Sequence, residues 1–220
     1  PTPPFVQTRI GVIGDIHTEA GILAWAIDQL REQRVQRIFA TGDIADGPQH
    51  GEGVIESCRL LRQFDVLTVL GNHDRWMLDN ERRDFPDATF VDELNEPTRA
   101  YLQSLPVSLD IMTPSGLMVL GHGLGDDDMA GLYPHDHGPA LSDNVVLQTL
   151  LRGSHYQLVL SGHTHRRMVR KLDGVTFINA GSIKSNREPC CLILDFVERI
   201  AKFIDYAADG GAVDGPVFEL

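Results

Sequence analysis

Arg9-Ile10-Gly11-Val12-Ile13-Gly14-Asp15-Ile16-His17 opens with a β-branched run that stops at a glycine and then delivers a carboxylate and an imidazole. The run reads as a strand, so Asp15 and His17 sit just past its end. Downstream, residues 19–33 place Ile22, Leu23, Ala26, Ile27 and Leu30 at helical spacing. Residues 35–40 form the next strand, and Asp43 and Asp46 follow it in Gly42-Asp43-Ile44-Ala45-Asp46. A helix over about 52–63 and a strand at 66–70 come next, and Asn72-His73-Asp74 follows that strand. A repeated order of strand, motif and helix predicts an α/β sheet with functional groups at the carboxyl ends of its strands.

The second half changes character. A helix near 96–104 leads to strands at 107–112 and 117–121, and His122 follows the second of these in Gly121-His122-Gly123. Residues 123–139, rich in Gly, Asp and His, read as a long loop before a helix at 142–153. Strands are expected at 156–161, 167–172, 175–178, 190–196 and 200–206, with His163 and His165 in Gly162-His163-Thr164-His165 after the first. Such close spacing predicts a second, largely antiparallel sheet. The tail after Ala208 reads as loose.

At 220 residues the chain is expected to form a single domain over 1–220. No apolar run approaches the roughly 20 residues that span a bilayer. Pro1-Thr2-Pro3-Pro4 lacks the pattern of a signal peptide. Cys58, Cys190 and Cys191 make no disulfide framework, and a cytoplasmic location is expected. The net charge of −12, from 31 acidic and 19 basic residues, argues against non-specific binding to nucleic acid. A small phosphorylated substrate, nucleotide-like ones included, stays open, because two divalent cations would reverse the local potential.

Asp15, His17, Asp43, Asn72, His122, His163 and His165 are seven candidate metal ligands, and His73 is better suited to proton transfer. Aspartate oxygen, amide oxygen and imidazole nitrogen form a mixed ligand set. It suits manganese first, with iron, zinc, cobalt or nickel as alternatives, and fits a structural zinc site poorly because no thiolates accompany it. Asp15/His17 and His163/His165 can each face one site if the loop turns, and the glycine before each motif allows that turn.

In this order the five motifs resemble those of the calcineurin-like metallophosphoesterase superfamily: D-x-H, G-D-x-x-D, G-N-H-[DE], G-H and G-H-x-H. The resemblance covers residues 15–165, and the compact chain with its Asn179-Ala180-Gly181-Ser182 segment looks most like the small bacterial phosphodiesterase branch. It implies a four-layer αββα sandwich, two mixed sheets packed face to face between helices. It implies that Asp15, His17 and His165 hold one metal, that Asn72, His122 and His163 hold a second, and that Asp43 bridges both. His73 would be the catalytic histidine and Asp46 the carboxylate that orients it. The implied reaction is hydrolysis of a phosphodiester or a small phosphomonoester by a hydroxide between the two ions.

Departures narrow the branch. Phosphoprotein phosphatases of the serine/threonine type continue the second motif to an arginine, whereas Gly47-Pro48 follows Asp46 here. Arg75, after the third motif, and Arg166, after His165, are the candidate phosphate contacts. A protein phosphatase and a non-catalytic scaffold of the retromer type are the alternatives; the scaffold branch typically loses ligands or the catalytic histidine, and this chain keeps both. The remaining polar clusters, His135-Asp136-His137 and Asp126-Asp127-Asp128, read as solvated loop. Tyr133 offers a ring for stacking, and Cys190 and Cys191 read as buried strand residues.

Overall fold

The computed structural model describes residues 7–153 and 155–220; Pro1-Thr2-Pro3-Pro4, read above for a leader, lie outside them. The first half runs β1 (Arg9–Ile13), α1 (Ala20–Glu32), β2 (Arg37–Ala40), α2 (His50–Gln63), β3 (Leu67–Thr68), α3 (Asn72–Leu78), a 3-10 turn (Val91–Glu93) and α4 (Glu96–Gln103). The second half runs β4 (Ser108–Thr113), β5 (Gly116–Gly121), α5 (Pro139–Ser142), α6 (Val145–Gly153), β6 (Leu158–Ser161), β7 (Met168–Leu172), β8 (Val175–Asn179), β9 (Cys190–Asp195), β10 (Ile200–Tyr206) and β11 (Ala212–Glu219).

Two mixed sheets result, ordered β11-β10-β9-β1-β2-β3 and β4-β5-β6-β8-β7. Strand alternation sorts the side chains into layers. Ile10 and Val12 of β1, Leu192 and Leu194 of β9, and Phe39 and Phe203 point between the sheets, where they meet Met118, Leu120, Leu158, Leu160 and Ile178. On the opposite face of the first sheet, Ile13, Cys191, Ile193 and Ile204 pack under Leu23, Ala26, Ile27 and Leu30 of α1 and Leu61 of α2. On the outer face of the second sheet, Val119, Val159 and Phe177 pack under Leu147 and Leu150 of α6. The order is therefore helices, sheet, sheet, helix. Strands covered on both faces read as continuous apolar runs, as Leu158-Val159-Leu160 does.

Three expectations change. The second sheet is mixed rather than largely antiparallel, because β6 runs parallel to both β5 and β8. β9 and β10 instead join the first sheet, β9 antiparallel to β1. The tail is a strand: β11 pairs antiparallel with β10, its side chains mostly exposed at the sheet edge. Little apolar periodicity marks it, because an edge strand takes its order from backbone pairing. Elsewhere the limits move by a few residues. α3 starts at Asn72 because Asp74 at its third position reaches back to accept the Gly71 N–H at 3.0 Å.

Candidate metal centre

Every candidate ligand lies at the carboxyl end of β1, β2, β3, β5 or β6. These strands run parallel within each sheet, so five chain segments end at one rim. Each turns sharply there. His17, Asp43, Asp46, His163 and His165 all take positive φ, between 47° and 65°. Non-glycine residues in that region carry strain of order 1–3 kcal/mol each, and such residues gather at functional sites. Gly71 and Gly162 make the close approach possible: a Cβ on Gly71 would collide with Asp43 Oδ1, and one on Gly162 with Asp15 Oδ1.

The seven candidates meet in two lobes that share Asp43. In the first, the Nε2 atoms of His17 and His165 stand 3.1 Å apart, and His165 Nε2 is 3.1 Å from Asp15 Oδ2. His17, Asp43 and His165 offer ligand atoms all within 4.8 Å of one another. In the second, Asn72 Oδ1 lies 2.9 Å from His122 Nε2 and 3.0 Å from His163 Nδ1. Asp43 Oδ2 is 3.2 Å from His122 Nε2 and 3.7 Å from His17 Nε2.

The surroundings fix which imidazole nitrogen faces inward. His17 Nδ1–H donates to the Asp46 carbonyl at 2.8 Å, and His122 Nδ1–H to the Thr41 carbonyl at 2.7 Å. Both leave Nε2 for the centre, the outer-ligand arrangement common at metal sites. Thr41 Oγ1–H donates to Asp15 Oδ1 at 3.1 Å. Asp15 Oδ2 is buried and meets no hydrogen-bond criterion among the described residues, although His165 Nε2 lies 3.1 Å away.

Electrostatics agree with that picture. Burial lowers the His17 pKa to about 4 and that of His165 to about 3, which keeps both imidazoles neutral with a lone pair available. Burial also raises the Asp15 carboxyl to about 7. Burial opposes charge on His122 too, but the Asp43 carboxylate outweighs it and the pKa rises to about 10. Asp43 itself is held well below the ordinary carboxylate range: burial opposes this, and His122 overcomes it. The neutral imidazoles of His17 and His165, buried carboxylate oxygens and an amide oxygen converging here fit divalent cation binding, and a cation's charge would compensate the buried acids.

His73 is beside this cluster and holds no place in either lobe. Its Nδ1–H donates to Asp46 Oδ2 at 2.8 Å, and its backbone N–H donates to Asp43 Oδ1 at 2.9 Å. Burial opposes the imidazolium, but the Asp46 hydrogen bond outweighs it, so the pKa is raised. The ring packs edge-on against His17, Trp76 and Phe85, with centroids 5.0, 4.8 and 5.9 Å away.

Arg75 and Arg166 differ in setting. Arg75 Nε and Nη2 donate to the two oxygens of Asp128 at 2.7 and 3.0 Å, which ties α3 to the 123–139 loop. Asp126 and Asp127 are exposed, as expected of a solvated run, whereas Asp128 is an ion-pair partner. Arg166 is exposed beside His165. His137 Nδ1–H donates to the His135 carbonyl within its own loop. A groove of about 610 Å³ between Leu124–Asp128 and α6 is lined by none of the seven ligand candidates.

Sequence reading missed Arg83, which grips both oxygens of Asp46 at 2.7 and 2.9 Å, and Thr89, whose N–H donates to Asp46 Oδ1 at 2.8 Å. It gave no role to Asp74, whose Oδ1 accepts the N–H groups of Ile44 and Ala45 at 2.8 Å each and so holds the second motif against the third. Asp74 was visible in its motif. Arg83, in the polar run Glu81-Arg82-Arg83-Asp84, carries no local signal.

The chain belongs to the calcineurin-like phosphoesterase superfamily, whose domain matches residues 8–199. A phosphodiesterase of Methanocaldococcus jannaschii is 21% identical over 180 residues, covering 79% of this chain and 82% of the relative. Among solved structures, a hypothetical protein from Pyrococcus horikoshii aligns with a TM-score of 0.72 at 16% identity, over 90% of this chain and 87% of its own. A metallophosphoesterase from Sphaerobacter thermophilus aligns with a TM-score of 0.70 at 20% identity, over 93% and 91%. At such identities the structural likeness concerns the fold.

Proposed function

We propose that this chain is a binuclear metal-dependent phosphoesterase that hydrolyses a phosphodiester or a small phosphomonoester. The observation that carries the reading is the convergence of seven ligand-type side chains into two lobes around Asp43, with His73 held beside them by Asp46. Asp15, His17 and His165 would hold one ion, Asn72, His122 and His163 the other, and Asp43 both. Divalent cations held there would lower the pKa of a bound water and neutralise charge on phosphoryl oxygens. Manganese is the ion to load first.

The chain's own groups account for the rest. Asp46 accepts from His73 Nδ1–H and so leaves Nε2 as the nitrogen that holds and delivers a proton to the leaving oxygen. Trp76 and Phe85 flank that ring and limit its rotation. Arg75, which shares its fork with Asp128, is the contact to the scissile phosphate, and Arg166 is a further contact to the substrate's negative charge. The substrate is a small phosphoester, nucleotide-like esters among the candidates. No helix among the described residues is long and apolar enough to cross a membrane.

The test is elemental analysis with a hydrolysis panel: bis-p-nitrophenyl phosphate, p-nitrophenyl phosphate, nucleotides and a phosphopeptide, each with manganese, zinc, cobalt or nickel. About two ions per chain and metal-dependent turnover of at least one small ester are expected. Full metal loading with no turnover of any ester would sink the reading.

A further inference from the structure

The positive charges near the centre are divided unevenly. Arg83 is committed to Asp46, Arg75 to Asp128, and Arg167 to Asp205 and Glu188. Three cations on the side of the Asp15–His17–His165 lobe have no such partner. Among the described residues, neither Lys184, Arg166 nor Arg187 makes an ion pair. In a chain of net charge −12, three unpaired cations at one rim are unexpected unless something anionic meets them.

The backbone holds this rim in place. Ser182 bridges Asp15, its hydroxyl donating to the Asp15 carbonyl at 2.9 Å, and Ile183 N–H donates to the same carbonyl at 3.1 Å. Lys184 N–H then donates back to Ser182 Oγ at 3.0 Å. Ser185 N–H donates to Glu19 Oε1 at 3.0 Å, and Arg187 N–H to the Lys184 carbonyl at 2.9 Å, closing the turn. Ile183 is fully buried beneath it. Lys184 is half-buried two residues past Ser182, near enough for its charge to act on both His17 and His165, and Arg187 acts on His165. Arg166 leaves the same lobe directly after His165.

We propose that Lys184 and Arg187, with Arg166 next to His165, form a subsite for a second anionic group of the substrate, a phosphate or carboxylate beyond the scissile ester. This rests on the phosphoesterase reading above, and it narrows the substrate to phosphoesters with a further negative charge. An ammonium and two guanidiniums supply charge-assisted hydrogen bonds, and none has to release a protein carboxylate first.

The test is calorimetric binding to the manganese-loaded protein of a three-carbon diphosphonate and of propylphosphonate. The wild type should prefer the diphosphonate by about tenfold, the effect of one good charge-assisted contact. Lys184→Gln should cut that preference to below about threefold and Lys184→Arg should restore it, with metal content unchanged in both. Arg166→Gln should lower the preference independently. No preference in the wild type, or one that survives both Lys184→Gln and Arg166→Gln, overturns the subsite. Loss in Lys184→Gln without recovery in Lys184→Arg assigns the effect to shape and also overturns it. Should the preference hold while no ester is hydrolysed, the proposed function fails and the subsite stands.

Discussion

Arg83 closes its two terminal nitrogens on the two carboxylate oxygens of Asp46, 37 residues away in sequence, and the pair is buried. Asp46 in turn holds His73, so the orientation of the proposed acid depends on a residue in a different loop.

Arg83→Ala should lower kcat by about 10–100-fold, the usual cost of losing an outer-ligand brace, with little change in bound metal. It should also destabilise the fold by about 2–3 kcal/mol, because among the described residues the Asp46 carboxylate then keeps only His73 and Thr89 as partners. Arg83→Lys retains the charge but not the fork and should recover stability more than rate. Thermal melts and single-substrate kinetics on both variants decide it; an unaltered kcat in Arg83→Ala would leave Arg83 a structural residue only.

Asp43→Asn should leave fewer than two metals per chain and remove most of the activity. Its carboxylate oxygen is 3.2 Å from His122 Nε2 in one lobe and 3.7 Å from His17 Nε2 in the other, so its charge would serve a cation in either. A variant with full metal content by elemental analysis and near-normal turnover refutes the bridging role.

His73→Ala should separate chemistry from metal binding. Loss of a general acid costs about 10²–10⁴-fold. The loss should be greatest for alkyl esters, whose basic leaving oxygen needs the proton, and smaller for p-nitrophenyl esters. Asp46→Asn should follow the same trend more mildly. Equal losses for both leaving groups, or a missing metal ion, would show that His73 is not the acid.

Arg75→Ala and Asp128→Ala test one ion pair from its two ends. Either change unties α3 from the 123–139 loop. Only Arg75→Ala also removes a donor for phosphate, so it should raise KM more, by about another fivefold or more for a single charge-assisted contact. Matching KM values in the two variants would reduce Arg75 to a loop staple.

Chelation should lower the melting temperature, and manganese should restore it. A ligand held only by the folded state at a hundredfold excess over its Kd adds about 2.7 kcal/mol. A melting temperature indifferent to chelator, after elemental analysis confirms removal, argues against a buried cation pair around Asp15 and Asp43.

The sequence by itself determined the motifs, their order and their strand ends. Gly14 before Asp15 and Gly162 before His163 mark where an apolar run must turn, and that local rule needs no knowledge of neighbours. It also determined the helix faces, since Leu23, Ile27 and Leu30 repeat at a period that only one core-facing stripe satisfies. Strand partnership was decided only by tertiary structure. β9 reads as one more late strand, yet it pairs with β1, and Ser182, past the end of β8, bridges Asp15, because pairing depends on which edge is free in space. β11, exposed and without apolar alternation, is ordered by the edge that β10 offers it. The same holds at the centre. The grip of Arg83 on Asp46, and the lack of an ion-pair partner for Lys184 among the described residues, are relations between charges far apart in sequence, and the chain's local pattern has no term for distance in space.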